Sequence, residues 1–389
     1  MTISRTIYHI ALRECGIMRR HPIYLFCMVI FPVLVTLFFT TLMNEGQPIE
    51  MPVGVIDNDD TPTSRAMIRK LDAFQTTKVT AHYPNINEAR NAIQRNEIYA
   101  FLYIPKGTTR KLLSARQPKI SFYYSNTSLT AGALLYRDLK TISSLGSAGV
   151  GMAVLSAKGA TKEQIATFLQ PIVVNLHMIH NPWANYNIYL STVLIPGCLM
   201  LFIFLITAYS IGTELKFQRS KKWLKMAGNN IYLAMAGKLL PQFLIFTTIM
   251  YAYMYYIFFV LQFPHPGGIP IILLLGLLSV LAAQAFGIFF FGLMPSLRMS
   301  MSICSLWAVL SFSTAGSTFP LMAMDSSIIS LAQLFPLRHY YMIYQICLFN
   351  GYPLTDAWFN IMAMLIFIAL PFFTIKNIRK AMLEYVYIP

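Results

Sequence analysis

Charge is what this sequence has least of. Of 389 residues only 12% are Asp, Glu, Lys or Arg, against about a quarter in an ordinary soluble domain. Hydrophobic residues make up 56% and aromatics 14%, and the mean hydropathy is positive. Such a chain cannot clothe a globule of this size in polar side chains, so much of its exterior must face lipid. Acidic residues are scarcer still, 15 against 30 Lys and Arg, for a net charge of +15. Many of the basic residues stand in short segments beside apolar runs, which suits membrane topology and excludes a nucleic-acid partner. The five cysteines, Cys15, Cys27, Cys198, Cys304 and Cys347, form no CxxC pair, so metal and redox chemistry have no foothold. A P-loop is missing too: Gly237-Lys238 is followed by Leu239 and has no upstream glycine at the required spacing. HExxH is absent, and the apolar runs carry no Asp, Glu, Lys or Arg for a proton relay or a protease dyad. No catalytic residue, metal or cofactor is therefore expected in this chain.

What the sequence does hold is a series of apolar runs. A membrane-spanning helix needs about 20 apolar residues. Residues 23–43, 186–212, 299–324 and 357–375 each meet that without a charge. The stretch 239–297 has room for two spans, and Phe263-Pro264-His265-Pro266-Gly267-Gly268 breaks it where a hairpin belongs. The first run is too long for a signal-peptide core and no small-residue cleavage site follows it. Six spans result. Arg5, Arg13, Arg19 and Arg20, then Lys216, Arg219, Lys221, Lys222, Lys225 and Lys238, then Arg298, then Lys376, Arg379 and Lys380 all fall on one face. By the positive-inside rule that face is cytoplasmic, as are both termini.

The expected fold class is an α-helical polytopic membrane protein of six transmembrane helices with an inserted extracytoplasmic α/β domain. Residues 1–21 form a cytoplasmic amphipathic elbow helix and 22–43 the first span. Residues 44–185 form the outer domain. Residues 186–389 carry the remaining spans, a cytoplasmic coupling loop at 213–238 and an outer re-entrant segment at 325–356. In the outer domain, strands are expected at 51–57, 79–83, 99–104 and 119–124, alternating with helices at 63–74, 87–95 and 106–116. Helical segments at 127–158 and 161–169 follow, and Trp183 suits an interfacial anchor. Asp57, Asp59 and Asp60 read as turn and helix-start residues; a cation site or a carboxylate cluster is the sharper alternative.

Three segments invite a mechanistic reading. In the elbow, Ile3, Ile7, Ile10 and Ile17 recur at helical spacing, with Arg5, Arg13, Glu14 and Arg20 on the other face. Between spans two and three, Glu214, Phe217, Trp223 and Leu224 lie among Lys and Arg. They are the expected contacts with a cytoplasmic ATPase, an interfacial helix on anionic lipid being the plainer alternative. In the outer segment, Pro336, Arg338 and His339 mark a bend between apolar stretches. They are expected either to meet headgroups or substrate or to cap helix ends.

Taken in order, these parts resemble one family. Arg13-Glu14, Arg19-Arg20-His21-Pro22 and Phe31-Pro32 are similar to the elbow and first span of type 2 ABC-exporter permeases with a large domain between the first two spans. Val53-Gly54-Val55-Ile56-Asp57-Asn58-Asp59, with Thr61 and Ser64-Arg65, is similar to the opening of that domain. Glu214 and Gly237-Lys238 bracket the coupling region, although Ser220-Lys221 and Ala227-Gly228 stand where Gly-Thr and Thr-Pro are common. Phe319-Pro320, Phe335-Pro336-Leu337-Arg338-His339-Tyr340-Tyr341 and Gly351 resemble the signature before the last span. The resemblance implies a permease in a bacterial inner membrane, without its own ATPase site, that moves an amphipathic or lipid-like substrate or drug outward. It further implies an ABC ATPase subunit that binds the ATP, a second permease copy or paralogue, and contact with membrane lipid. Members of the subgroup also work with a periplasmic adaptor. Competing readings from the residues are a membrane-anchored sensor or scaffold, an enzyme using Asp57, Asp59 or Asp60, and a cation exporter.

Overall fold

The structure, a computed structural model, describes residues 3–114, 116–170, 177, 181–182 and 184–385. By its contacts the chain separates into two compact units, Glu45–Met178 and the remainder, Met1–Asn44 with Ile179–Pro389.

The transmembrane unit begins with α1 (Ile3–Arg20). Its inward line is Thr6, Ile10 and Glu14, while Ile3, Tyr8 and Leu12 are exposed. The amphipathic pattern is thus inverted at one position: Glu14, expected on the polar face, is as fully buried as Ile10. Helix α2 (Pro22–Leu42) follows and is long and apolar enough to cross a membrane. Its Phe26–Ile30 turn is π-helical, immediately before Phe31-Pro32, where proline denies the preceding turn a hydrogen bond.

Unit Glu45–Met178 alternates strands and helices as the hydrophobic pattern predicts. Strand β1 (Met51–Asp57) leads to α3 (Pro62–Asp72), which Thr61 and Ser64 start by a reciprocal cap with Pro62 in the first turn. Then come β2 (Thr77–His82), α4 (Ile86–Gln94), β3 (Ala100–Ile104), α5 (Thr108–Leu113) and β4 (Ser121–Tyr124). The sheet order is β2-β1-β3-β4, with β1 parallel to both neighbours and β4 antiparallel. Val53, Val55, Leu71, Leu102, Leu135 and Leu139 form the core on one face of the sheet. On the other face Ile56 and Phe101 close against Ala89 and Ala92 of α4. Helix α6 (Leu129–Ala157) runs unbroken through Gly146, Gly149 and Gly151, and α7 (Lys162–Leu169) follows. Trp183, the expected anchor, lies outside the described residues.

The chain continues in the transmembrane unit with α8 (Tyr186–Lys216), α9 (Ser220–Met226) and α10 (Ile231–Tyr255), the last extended by a π-helical turn to Val260. Helices α11 (Ile269–Leu293) and α12 (Leu297–Thr314) are followed by α13 (Ser326–Ala332), α14 (Pro336–Ile343), α15 (Trp358–Ala369) and α16 (Pro371–Glu384). Five segments are long and apolar enough to span a bilayer: Pro22–Leu42, Tyr186–Lys216, Ile231–Val260, Ile269–Leu293 and Leu354–Glu384. The run expected at 299–324 is helical only to Thr314 and is not among these five; its serines and Arg298 dilute it. Helix α12 nevertheless lies along α8 in the opposite direction. Gly212 meets Leu297 near one end, and Gly197 meets Phe312 and Leu337 near the other. Nor is 213–238 mainly a loop. Helix α8 runs on to Lys216 and α10 starts at Ile231, so Glu214 and Lys238 are both helical. Segment 325–356, expected to be re-entrant, holds α13 and then α14, which runs on as a π-helix to Phe349.

Candidate functional site

Four helices of the transmembrane unit converge on one buried cluster of charge. Arg13 and Glu14 come from α1, Glu214 from the last turn of α8, and Lys238 from the second turn of α10. Arg13 donates from Nη1 to Glu14 Oε1 at 3.0 Å and from Nη2 to both oxygens of Glu214 at 2.9 Å. The Lys238 ammonium donates to Glu14 Oε2 and to Glu214 Oε1, each at 2.8 Å. The result is a closed ring of alternating sign. Side chains of Glu14, Glu214 and Lys238 are 1–3% exposed, so each charge has left water and needs its partners. Over the same ammonium, at 5.4 Å, lies the ring of Trp223 from α9.

Local sequence explains the meeting. Gly237 stands where α1 crosses α10: a Cβ there would sit 2.7 Å from Ile10 Cβ and 3.0 Å from the Ile7 carbonyl oxygen. Only glycine lets the two backbones approach closely enough for Glu14 to reach Lys238. Beneath the ring, Ile10, Leu215, Trp223, Leu224, Met235, Phe291 and Ile378 make a separate apolar core.

The structure brings Glu214, Trp223 and Leu224 together but turns them inward. Trp223 is 0% and Leu224 1% exposed, so they face the chain's own core and offer no surface to a partner. Aromatic and basic residues in one short segment could not reveal that Trp223 belongs to the core and the lysines to the surface. Phe217 stays outside, 47% exposed, with the Arg219 guanidinium 5.1 Å from its ring. Lys221, Lys222, Lys225 and Met226 complete the exposed face of α9. Lys238 and Arg13 escaped notice as site residues; the adjacent Gly237-Lys238 pair was the available signal.

At the other end of α12, Pro336 opens α14 at its first turn. Arg338 Nη1 donates to the Ala315 carbonyl oxygen at 3.3 Å, just past the end of α12. His339 is fully buried. Its Nε2–H donates to the Gln333 carbonyl oxygen, and Nδ1 faces the Asn360 side-chain amide, each at 2.9 Å. Both side chains thus hold carbonyls at the ends of α12 and α13.

In unit Glu45–Met178 the aspartates serve a turn. Asp57 accepts from the Ser64 hydroxyl at 2.6 Å and from the Asp59 N–H at 3.0 Å. Asp59 accepts from the N–H groups of Gly107 and Thr109 and from the hydroxyls of Thr109 and Thr61. Burial alone would push the Asp59 carboxyl up, but the bonds from Thr109, Thr61 and Gly107 hold it below the usual carboxylate value. Asp60 is exposed and pairs with Arg65. Among the described residues no three His, Cys, Asp or Glu are grouped to hold a metal.

Comparison with known families decides what kind of molecule carries this ring. A family model described as ABC-2 family transporter protein matches residues 22–375. The chain belongs to that family. Comparison with curated proteins finds no match. As an ABC-2 permease it is a multi-pass membrane component of a transporter, and its several apolar helices fit that role. Glu214 and Lys238 of the ring lie inside the matched region, whereas Arg13 and Glu14 of the permease's first helix precede it.

Proposed function

We propose that the permease is the membrane half of an exporter that moves an amphipathic or lipid-like compound outward, driven by a separate ATPase that seats on the exposed face of α9. One observation carries this reading: the Lys238 ammonium is held at once by Glu14 of α1, Glu214 of α8 and the Trp223 ring of α9. A push on α9 therefore reaches two long helices and the elbow through one side chain. Lys221, Lys222, Lys225, Phe217 and Met226 ask for a partner groove that is acidic with an apolar floor. In this reading the ring end is cytoplasmic, α12 is the fifth of six crossings, residues 45–178 stand outside the membrane, and a second copy or paralogue completes the pathway.

The test uses the tagged permease expressed in its own host. ATP hydrolysis that co-purifies is expected to fall at least about tenfold when Lys221, Lys222 and Lys225 are all changed to Glu, since like charges across an interface cost several kcal/mol. Insertion is checked in the same membranes by protease accessibility of residues 45–178, because these three lysines also count toward the charge that orients the chain. Undiminished ATPase activity with the triple variant would overturn the docking, and the loss of activity without any change in efflux of a lipophilic dye would overturn the export reading.

A further inference from the structure

Arg338 differs from every cation of the buried ring. Between Lys238 and Lys376 the only Lys or Arg besides Arg338 is Arg298, and Arg298 follows Leu297 at the ring end of α12. Helix α12 rises about 27 Å over its length, so Arg338 is the sole Lys or Arg of this stretch at the far end. It is partly buried, yet among the described residues it forms no ion pair. Among the described residues the one hydrogen bond of its side chain is the 3.3 Å contact to Ala315, and its Nε is buried without a partner. The nearer acids are engaged or remote in sequence: Asp325 caps α13 by accepting from the Ser327 N–H and hydroxyl, and Asp356 lies beyond the π-helical turn. A guanidinium withdrawn from water without a carboxylate is costly, and its fork of donors fits phosphate or carboxylate oxygens.

Gly316 lets the guanidinium lie against the backbone. Gly316 adopts φ +95°, and a Cβ there would come within 3.1 Å of Arg338 Nη1, so any other residue would crowd the guanidinium. Ser317, next in the chain, is 2% exposed with a hydroxyl that has no partner among the described residues. The surface just beyond is apolar. Phe319, Met322, Ile328, Leu331 and Leu334 are all exposed, Met322 completely. A charge-seeking head site that opens onto a greasy surface suits neither a free anion nor a neutral lipid.

We infer that Arg338, with Gly316 and Ser317, forms a binding site for the anionic phosphate or carboxylate head of an amphiphile whose chain lies along residues 319–334. The site does not depend on the direction of transport or on an ATPase, so a binding readout tests it alone. The head could belong to a membrane lipid or to a single-chain amphiphile, and two arms of one experiment separate these sources.

Full-length permease in phosphatidylcholine nanodiscs is titrated with radiolabelled dodecyl phosphate, with dodecylphosphocholine as the zwitterionic control and empty nanodiscs as background. Arg338→Gln is expected to weaken dodecyl phosphate about tenfold or more, the effect of one charge-assisted pair, and to leave the choline compound unchanged. Arg338→Lys keeps the charge but not the fork, and should weaken binding by about threefold. Equal affinity in wild type and Arg338→Gln overturns the site. Should Arg338→Gln fail to insert, Arg338→Lys decides, and unchanged affinity there overturns it as well. Doping the nanodiscs with phosphatidylglycerol then names the source: displacement of dodecyl phosphate from the wild type assigns the site to a lipid head. Unaltered affinity assigns it to the single-chain amphiphile.

Discussion

Two places in this protein gather carboxylates, and they hold them by opposite means. In the transmembrane unit Glu14 and Glu214 are matched charge for charge by Arg13 and Lys238. In unit Glu45–Met178 Asp57 and Asp59 are held by hydroxyls and backbone N–H groups alone. Depth decides the difference. A carboxylate at the rim of an α/β domain keeps some water and needs only oriented dipoles, whereas one that is 1–3% exposed between apolar helices needs a full countercharge.

The comparison can be broken most forcefully at Lys238. Lys238→Met leaves two buried carboxylates facing each other with one arginine between them, and should cost about 3–5 kcal/mol of stability. Thermal unfolding in detergent checks this, and a Tm within error of the wild type would show that the ring is not buried as described. Gly237→Ala probes the same ring without touching a charge. The new methyl group must displace Ile10 or the Ile7 carbonyl, an overpacking cost of about 1–3 kcal/mol, and cross-linking between α1 and α10 should fall in step. A methyl accepted at no cost would mean that the elbow is held loosely.

The smallest effect belongs to Asp59. Asp59→Asn keeps the shape but turns one acceptor into a donor, at about 1–2 kcal/mol, read near neutral pH as faster proteinase K cleavage within residues 45–170, with pepsin used for the acid range. Because the native carboxyl lies below its ordinary value, its stabilisation is whole above the unfolded pKa of about 4. It is lost as pH falls from there through the lowered native value. Wild type should therefore lose protease resistance below about pH 4, while the Asn variant changes less over that interval. A parallel decline in both would remove Asp59 from the acid response.

The same contrast explains what could be read from the sequence. Strands β1 to β4, their helices and the five apolar spans are local matters of periodicity and capping. The helices expected from 63, 87 and 161 start in the structure at Pro62, Ile86 and Lys162. The aspartate turn was legible for the same reason, its partners being mostly close in sequence. The ring was not. Its members are separated by 201 and 224 residues, so Glu14 looks like the wet face of an amphipathic helix and Lys238 like a loop lysine. Trp223 and Leu224 looked like contacts for a partner because burial is a property of the folded chain. The end of α12 was missed because 315–324 is as apolar as the helix before it, and what stops the helix is Gly316 at positive φ and Pro320.

That wide separation also bears on how the protein is made. The elbow and first span leave the ribosome long before α10 does, and for that interval Glu14 has only its neighbour Arg13 for company. Burial of α1 must wait until Lys238 has been delivered, because an unmatched carboxylate resists leaving water. Docking of the elbow is then a late event in membrane assembly, and the ring closes only on a chain whose α8 and α10 have been inserted in the correct order.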